Sequence, residues 1–153
     1  MDKTDKKILS LLQQNSQLST AEIADAVGLS TTPCWRRIQK LEEEGVIAQR
    51  VVLLNRKKLN LDVDVFVAVK TNQHNWEWFQ DFADTVKRFP EVVEFYRMAG
   101  ESDYLLRVVV PDIAAFDSFY RKLVQETKLT DVSSSFAMEQ IKYTTTLPLD
   151  YAD

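Results

Sequence analysis

Residues 28–45 read GLSTTPCWRRIQKLEEEG, and this stretch carries the signals of a tight turn followed by a helix. Gly28 favours the left-handed backbone conformation that ends a preceding helix. Ser30 or Thr32 can cap the next helix, and Pro33 falls in its first turn under either choice, where a missing N–H costs nothing. The stretch also holds the only cysteine of the chain and an Arg-Arg pair. It raises two interpretations, a cysteine site or a helix that lies against a negatively charged partner.

The helix that follows has one apolar face. Cys34, Ile38 and Leu41 follow spacings of four and three residues, so they share that face. The basic residues fall away from it in the first two-thirds of the helix, and Glu42–Glu44 fill the last turns. This order opposes the helix dipole, which favours acidic residues first and basic residues last. The pattern therefore favours a helix shaped for an anionic partner over a surface helix with scattered charge.

Cys34 belongs to the apolar stripe, and a buried free cysteine behaves as a small apolar residue. The single histidine, His74, is distant in sequence. We therefore expect Cys34 to pack in a core and not to act as a nucleophile. We expect Trp35 to complete the same core, and contact with a DNA backbone is the alternative.

Two more helices precede this one. Apolar residues at helical spacing in residues 3–14 predict the first helix, and Ser19 with Glu22 fits a capping box that starts the second. Two helices joined by a turn with glycine, the second with an apolar inner face, indicate a helix-turn-helix, whose second helix reads the DNA major groove. The exposed residues suited to phosphates and base edges are Thr31, Thr32, Arg36, Arg37 and Lys40.

The charge distribution indicates two domains with different partners. The 153 residues carry a net charge of −4, but residues 1–58 hold ten Lys/Arg against seven Asp/Glu, and the remainder holds nine against sixteen. No apolar run approaches membrane length, the N-terminus does not resemble a signal peptide, and a single cysteine suits a reducing cytoplasm. With one cysteine and one histidine, we expect no metal site, no cofactor and no Ser-His-Asp triad.

The rest of the chain alternates strand and helix patterns. VVLLN at 51–55 predicts a first strand, and alternation over 63–70 predicts a half-buried one. Asn75 and Asp112 can cap two helices, residues 91–99 and YLLRVVV at 104–110 predict strands, and the segment TDVSSSFAMEQIKYTTT at 130–146 predicts a long final strand. The order β-α-β-β-α-β is that of a ferredoxin-like plait.

A plait has helices on one face of its sheet only. Its other face here is predicted to carry apolar or neutral side chains, which favours a dimer over exposure to solvent. The predicted members of this face are Phe66, Ala68, Phe95, Leu105, Val109, Phe136 and Met138.

Four stretches together resemble the leucine-responsive/asparagine-regulator (Lrp/AsnC) family of prokaryotic transcription factors. They are DKTDKKILSLLQQN, LSTAEIADAVGLSTTPCWRRIQKLEEEGVI, MAGESDYLLRVVVPD and SSFAMEQIKYTTTLPL. The resemblance covers nearly the whole chain, and its specific motifs are the S-x-T-P-C run and the G-[DE]-x-D-Y-L-L turn. It implies an α+β chain with an N-terminal winged-type helix-turn-helix domain and a C-terminal βαββαβ domain that dimerises through its sheet. It also implies assembly of the dimers into octamers and regulation by an amino acid or related small molecule.

The resemblance also implies two sets of site residues. The implied DNA contacts are Ser30, Thr31, Thr32, Pro33, Arg36, Arg37 and Lys40. The implied effector pocket consists of Met98, Ala99, Gly100, Glu101, Ser102, Asp103 and Tyr104, with Ser133, Ser134 and Ser135 reaching the pocket of a neighbouring dimer.

The chemistry of the turn suits an amino acid. Backbone N–H groups beside Gly100 can hold a carboxylate, while Asp103 or Glu101 can pair with an α-ammonium. The alternative is a hairpin in which Asp103 merely caps the turn.

The expected organisation is therefore a helix-turn-helix domain at 1–50, a linker strand at 51–61, and an effector-binding and oligomerisation domain at 62–153. The expected function is sequence-specific DNA binding controlled by a small amino acid. One alternative is an architectural protein that wraps DNA with little sequence preference. Another is an enzyme similar to the sirohaem decarboxylases, which share this architecture; the lone His74 argues against it, and we expect no enzyme activity.

Overall fold

The computed structural model describes residues 1–129 and 131–153, and these form two compact units. The first unit combines Met1–Leu53 with Lys142–Asp153, and the second is Leu54–Ile141. None of the helices in the described part of the chain is both long and apolar enough to cross a membrane.

The first unit contains three helices, each with a defined start. Helix α1 (Lys3–Gln14) begins with a capping box formed by Asp2 and Asp5. Helix α2 (Thr20–Val27) begins with the predicted box of Ser19 and Glu22. Gly28 then adopts a φ of 73° and ends α2, and helix α3 (Thr31–Glu43) follows from Ser30 as its N-cap. The predicted helix-turn-helix is present.

The core of this unit confirms the stripe predicted for α3. Cys34, Ile38 and Leu41 are buried, and they form one apolar cluster with residues of the other two helices. The partners in that cluster are Ile8, Leu9, Ile23 and Ala24. Burying the stripe fixes the rotation of α3 about its own axis and thereby decides which of its residues face outward.

The predicted strand at 51–55 is absent; these described residues belong to no helix or strand. Val51, Val52, Leu53 and Leu54 are all exposed, with Val52 at 83%. A strand needs a neighbour to bond its backbone groups, and no described strand lies beside this segment. The sequence pattern therefore predicted a strand that the described sheet does not contain.

The second unit has the predicted βαββαβ order. Its elements are β1 (Val63–Lys70), α4 (Trp76–Lys87), β2 (Val92–Arg97), β3 (Tyr104–Val110), α5 (Ile113–Thr127) and β4 (Asp131–Phe136). The four strands form one antiparallel sheet in the order β2-β3-β1-β4. Asn75 caps α4 and Asp112 caps α5, as predicted.

One face of this sheet packs against the helices. Alternate residues of the two central strands are fully buried there, and α4 and α5 contribute aromatic and aliphatic side chains. The largest contributors are Val65, Val67, Val69, Phe82, Val86, Leu106, Val108, Phe119 and Leu123. Ile113, the first residue of α5, is 69% exposed.

The final strand is shorter than predicted. Strand β4 ends at Phe136, whereas the pattern predicted a strand over 130–146, of which residue 130 lies outside the described residues. The reason is the length of the partner: Phe136 pairs with Val65, and β1 itself begins at Val63. Beyond that point the chain has no strand to pair with in this sheet.

The C-terminal segment belongs structurally to the first unit, although the predicted boundaries placed it in the second domain. The side-chain amide of Gln13 donates to the carbonyl of Leu147 (3.2 Å) and accepts from its N–H (2.6 Å). Leu149 packs against the core of the first unit, and the amino group of Met1 donates to the carbonyl of Asp153 (2.9 Å). Residues 142–153 therefore help to complete the helical domain.

This attachment predicts a difference between two leucines of the segment. Leu149→Ala removes a half-buried side chain from the core contact and should lower the free energy of unfolding by about 1–2 kcal/mol. Leu147→Ala, the matched control, removes a side chain that is 71% exposed and should change it by less than about 0.5 kcal/mol. Urea unfolding of the full chain measures both. Equal effects of the two substitutions would contradict the proposed packing of the segment.

Candidate functional site

Helix α3 presents a polar and basic outer surface. Ser30 is its N-cap and makes no side-chain capping bond, so its hydroxyl and the exposed side chains of Thr31 and Thr32 are available to a partner. Arg36 and Lys40 are exposed one and two turns further along. Pro33 at the helix start is exposed too, and Arg36 and Lys40 lie on the side of α3 that faces away from the buried stripe.

Lys40 has only a weak attachment to the protein. Its ammonium is 3.7 Å from the Glu44 carboxylate, and both side chains are more than half exposed. An exposed pair of this kind contributes little and is easily exchanged for another anion. The basic surface of α3 is therefore accessible.

Arg37 is placed differently from its neighbour Arg36. Its Nη1 lies 2.6 Å from Asp2 Oδ2 and 2.7 Å from Asp5 Oδ1. Hydrogen bonds to these carboxylates raise the pKa of Arg37. Ser30 to Pro33, Arg36 and Lys40 are thus all exposed, whereas Arg37 is directed toward the start of α1.

Cys34 lies in the core, as expected, with no exposed surface. Burial raises the pKa of its thiol, against a smaller opposing effect of the Arg37 charge, which disfavours the reactive thiolate. The expectation that Trp35 completes this core is wrong, because its side chain is 51% exposed. Trp35 follows Cys34 directly, so the helix turns it away from the buried stripe.

The turn between β2 and β3 is tied to the end of β1 through Asp103. The Asp103 N–H donates to the Val69 carbonyl (2.9 Å), and Asp103 Oδ2 accepts from the Thr71 N–H (2.7 Å). Gly100 has a φ of 151°, which favours glycine, and a side chain built there would meet nothing within 4 Å. The backbone around Gly100 is therefore open to solvent, while Asp103 is held in place.

Two other residues of the turn have different surroundings. Glu101 is almost fully exposed and pairs with Lys70 at 3.3 Å. Tyr104 is 6% exposed, and its ring packs against Phe79 and Phe82 in the core. Burial raises the pKa of the Tyr104 phenol. A ligand at the exposed residues Met98, Ala99 and Gly100 can meet the backbone of this region, but the Tyr104 ring belongs to the core.

The three serines of β4 do not act as one group. Ser133 and Ser135 pair with Ala68 and Phe66 of β1 and share the face of the sheet opposite the helices. Ser134 lies on the helix face and lines a cavity of about 350 Å³ beside α5. Successive side chains of a strand point to opposite faces of the sheet, so Ser134 faces away from Ser133 and Ser135.

A charged cluster on the open face was missed by the sequence analysis. Arg107 Nε is 2.9 Å from Asp64 Oδ1, and Arg107 Nη1 is 2.9 Å from Glu94 Oε1. Arg56 binds the other Asp64 oxygen at 2.6 Å. The signal was present in the alternation, because Asp64 and Arg107 occupy outward positions of otherwise apolar strands. Phe95, predicted for this face, packs inward against Phe82 instead.

The apolar part of that face is still present. Phe66, Ala68 and Leu105 lie on it beside the charged cluster, and Phe66 is 37% exposed. Phe136, also predicted for this face, lies on the helix face instead, because it pairs with Val65 and its ring contacts Phe116 of α5. Met138 lies beyond the last strand at 98% exposure.

Comparison with family models assigns both units. Residues 1–48 match a model described as winged helix-turn-helix DNA-binding, and residues 64–147 match the Lrp/AsnC ligand binding domain. The second model alone spans more than half of the chain.

Similar proteins agree with this assignment. The chain is 50% identical to the DNA-binding transcriptional activator DecR of Escherichia coli K12, over 98% of this chain and 99% of DecR. An AsnC family transcriptional regulator from Agrobacterium tumefaciens has a TM-score of 0.97 and 61% identity, covering 99% of both chains. A transcriptional regulator from Neisseria meningitidis, solved in complex with L-Met, has a TM-score of 0.93 and 38% identity over 98% of this chain and 97% of that one.

These findings confirm the resemblance and the fold class predicted from the sequence. They also decide against the enzyme alternative, because the matching models and relatives are regulators. The chain belongs to the Lrp/AsnC family of DNA-binding transcription regulators.

Proposed function

We propose that this regulator reads DNA with helix α3 and that a small amino acid, bound at the turn between β2 and β3, controls its assembly or its DNA affinity. The observation that carries the proposal is the outer surface of α3. There, exposed cationic side chains at Arg36 and Lys40 follow an exposed polar helix start.

The two parts of this surface have different tasks. Ser30, Thr31, Thr32 and Pro33 stand at the N-terminal end of α3, the end that a helix-turn-helix inserts into the major groove. Arg36 and Lys40 supply the positive charge that phosphates attract. Exposed Trp35, adjacent to Arg36, is an additional candidate for contact with the DNA backbone.

The effector proposal depends on the separate positions of Gly100 and Asp103. The open backbone beside Gly100 offers N–H groups to a carboxylate. Asp103 is half-buried and held by the Thr71 N–H through Oδ2, so its charge is fixed in place for an α-ammonium group. We assign that role to Asp103 and not to Glu101, because the Glu101 side chain is almost fully exposed and already pairs with Lys70.

The relative from Neisseria meningitidis supports the ligand class, since it was solved as a complex with L-Met. Met98, Ala99, Glu101, Ser102 and the Tyr104 backbone surround the proposed site along the chain. Ser133 and Ser135 of a neighbouring dimer are proposed to complete it, whereas Ser134 lies on the helix face of its own sheet.

We further propose that the chain forms a homodimer through the open face of its sheet and that dimers assemble into an octamer. The open face has an apolar surface, formed by Phe66, Ala68 and Leu105. Exposed apolar surfaces of this kind mark protein–protein interfaces. The charges beside it are compensated within the chain, because Asp64 and Glu94 both bind Arg107. Such a face can be covered without leaving an unpaired charge.

DNA binding by α3 predicts distinct effects of two substitutions. Arg36→Ala and Lys40→Ala each remove one phosphate-binding charge, so each should weaken binding and lower the slope of log affinity against log salt by about 0.9. Gel shifts can use a duplex selected from a random pool by the unmodified protein, together with a scrambled duplex. Unchanged binding by both variants would show that α3 is the wrong helix. Equal affinity for both duplexes would instead support the DNA-wrapping alternative.

The effector proposal predicts a rise in melting temperature with one or more of the twenty amino acids. A ligand at a hundredfold excess over its Kd should stabilise the folded protein by about 2.7 kcal/mol. Asp103→Asn keeps an acceptor for the Thr71 N–H but removes the charge, and it should abolish the response. Glu101→Gln is the matched control and should preserve it. A full response in Asp103→Asn would leave Asp103 with the capping role alone.

The dimer proposal predicts that a charge on the open face disrupts assembly. Phe66→Glu should reduce the mass measured by light scattering to that of a monomer, because an unpaired carboxylate would be buried in the interface. Ile113→Glu is the control, because Ile113 is exposed at the start of α5, and it should keep the mass of the unmodified protein. An unchanged mass for Phe66→Glu would exclude this face as the interface.

A further inference from the structure

Arg37 connects α3 to the first turn of α1. Asp2 Oδ1 accepts from the N–H groups of Thr4 and Asp5, both at 2.8 Å, and Asp5 Oδ2 accepts from the Asp2 N–H at 3.1 Å. The remaining oxygen of each carboxylate binds Arg37 Nη1. The two carboxylates thus cap α1 with one oxygen and hold Arg37 with the other.

These bonds favour the charged forms of Asp2 and Arg37. The hydrogen bond from the Asp5 backbone, followed by the one from Arg37, lowers the pKa of Asp2. The guanidinium therefore joins two fixed anions, and charge-assisted hydrogen bonds of this length are among the stronger polar contacts in proteins.

A DNA phosphate would have to compete with this arrangement. If Arg37 turned to a phosphate, Asp2 and Asp5 would lose their shared cation, and two uncompensated carboxylates would remain close to the DNA-facing helix. Arg36, one residue away, is exposed and has no ion-pair partner among the described residues. The two adjacent arginines therefore differ: Arg36 is exposed to solvent, and Arg37 is paired with two carboxylates.

We propose that Arg37 is a positioning residue and not a DNA contact: it fixes α3 against the start of α1, so that Ser30, Arg36 and Lys40 face the DNA together. The inference rests on the proposed function of α3 as the DNA-reading helix. It changes the role that the family resemblance implied for Arg37. It also gives Asp2 and Asp5 a role in DNA recognition without any contact to DNA.

The decisive variant is Asp2→Asn with Asp5→Asn. Asparagine is a good N-cap and has the same shape, so α1 keeps its capping acceptors. The substitution removes two negative charges from the DNA-binding unit, and simple electrostatics predicts tighter DNA binding. The positioning role predicts the opposite, a loss of about tenfold in affinity for the selected duplex, with nonspecific binding to the scrambled duplex not weakened.

Arg37→Gln completes the test as a double-mutant cycle. Alone, it should weaken specific binding by a similar factor while leaving the salt slope unchanged, whereas loss of a phosphate contact would lower the slope by about 0.9. Added to the two asparagine substitutions, it should have almost no further effect, because the contact is already lost. Melting temperature and oligomer mass, measured on every variant, identify any variant that fails to fold.

The outcomes separate this inference from the proposed function. Tighter specific binding by the asparagine variant, or a lowered salt slope for Arg37→Gln, would overturn the positioning role while Arg36→Ala still reports on α3. If Arg36→Ala also left binding and salt slope unchanged, the assignment of α3 itself would fail. Arg37→Lys retains the cation and should restore most of the specific affinity.

Discussion

Burial of the stripe formed by Cys34, Ile38 and Leu41 is the constraint on which the proposed DNA-reading surface of α3 depends. A helix turns by about 100° per residue, so fixing this stripe against the other two helices leaves no freedom in the direction of the remaining side chains. Arg36 and Lys40 must then face outward, and the same rotation exposes Trp35. The only cysteine therefore serves the fold by occupying space in the core, and its chemistry is suppressed by the burial that makes it useful.

In the second unit, burial of one face of the sheet likewise fixes which side chains point to the other face. Helices cover one face, and strand alternation sends Asp64 and Arg107 to the other, where Arg107 pairs with both Asp64 and Glu94. The dimer proposed through this face requires such pairing, since an isolated buried charge costs far more than an ion pair returns. The cluster is compatible with the apolar surface beside it for this reason.

Neighbouring residues of the same type have different surroundings throughout the molecule. Arg36 faces solvent while Arg37 binds two carboxylates, and Ser134 lines a cavity while Ser133 lies on the opposite face of the sheet. In each case a shift of one residue changes the side chain's direction, because helices and strands have fixed periods. A motif matched by residue type alone cannot distinguish such pairs.

The sequence by itself determined the order of elements, the helix caps at Ser19, Asn75 and Asp112, and the buried stripe of α3, because these depend on contacts within a few residues along the chain. Only the tertiary structure decided what depends on distant partners. The segment 51–55 lacks a neighbouring strand, β4 ends where β1 runs out, and the last residues join the first unit through Gln13 and Leu149. The partners of Arg37 lie more than thirty positions away in the chain, so no local pattern could reveal that its charge is already bound.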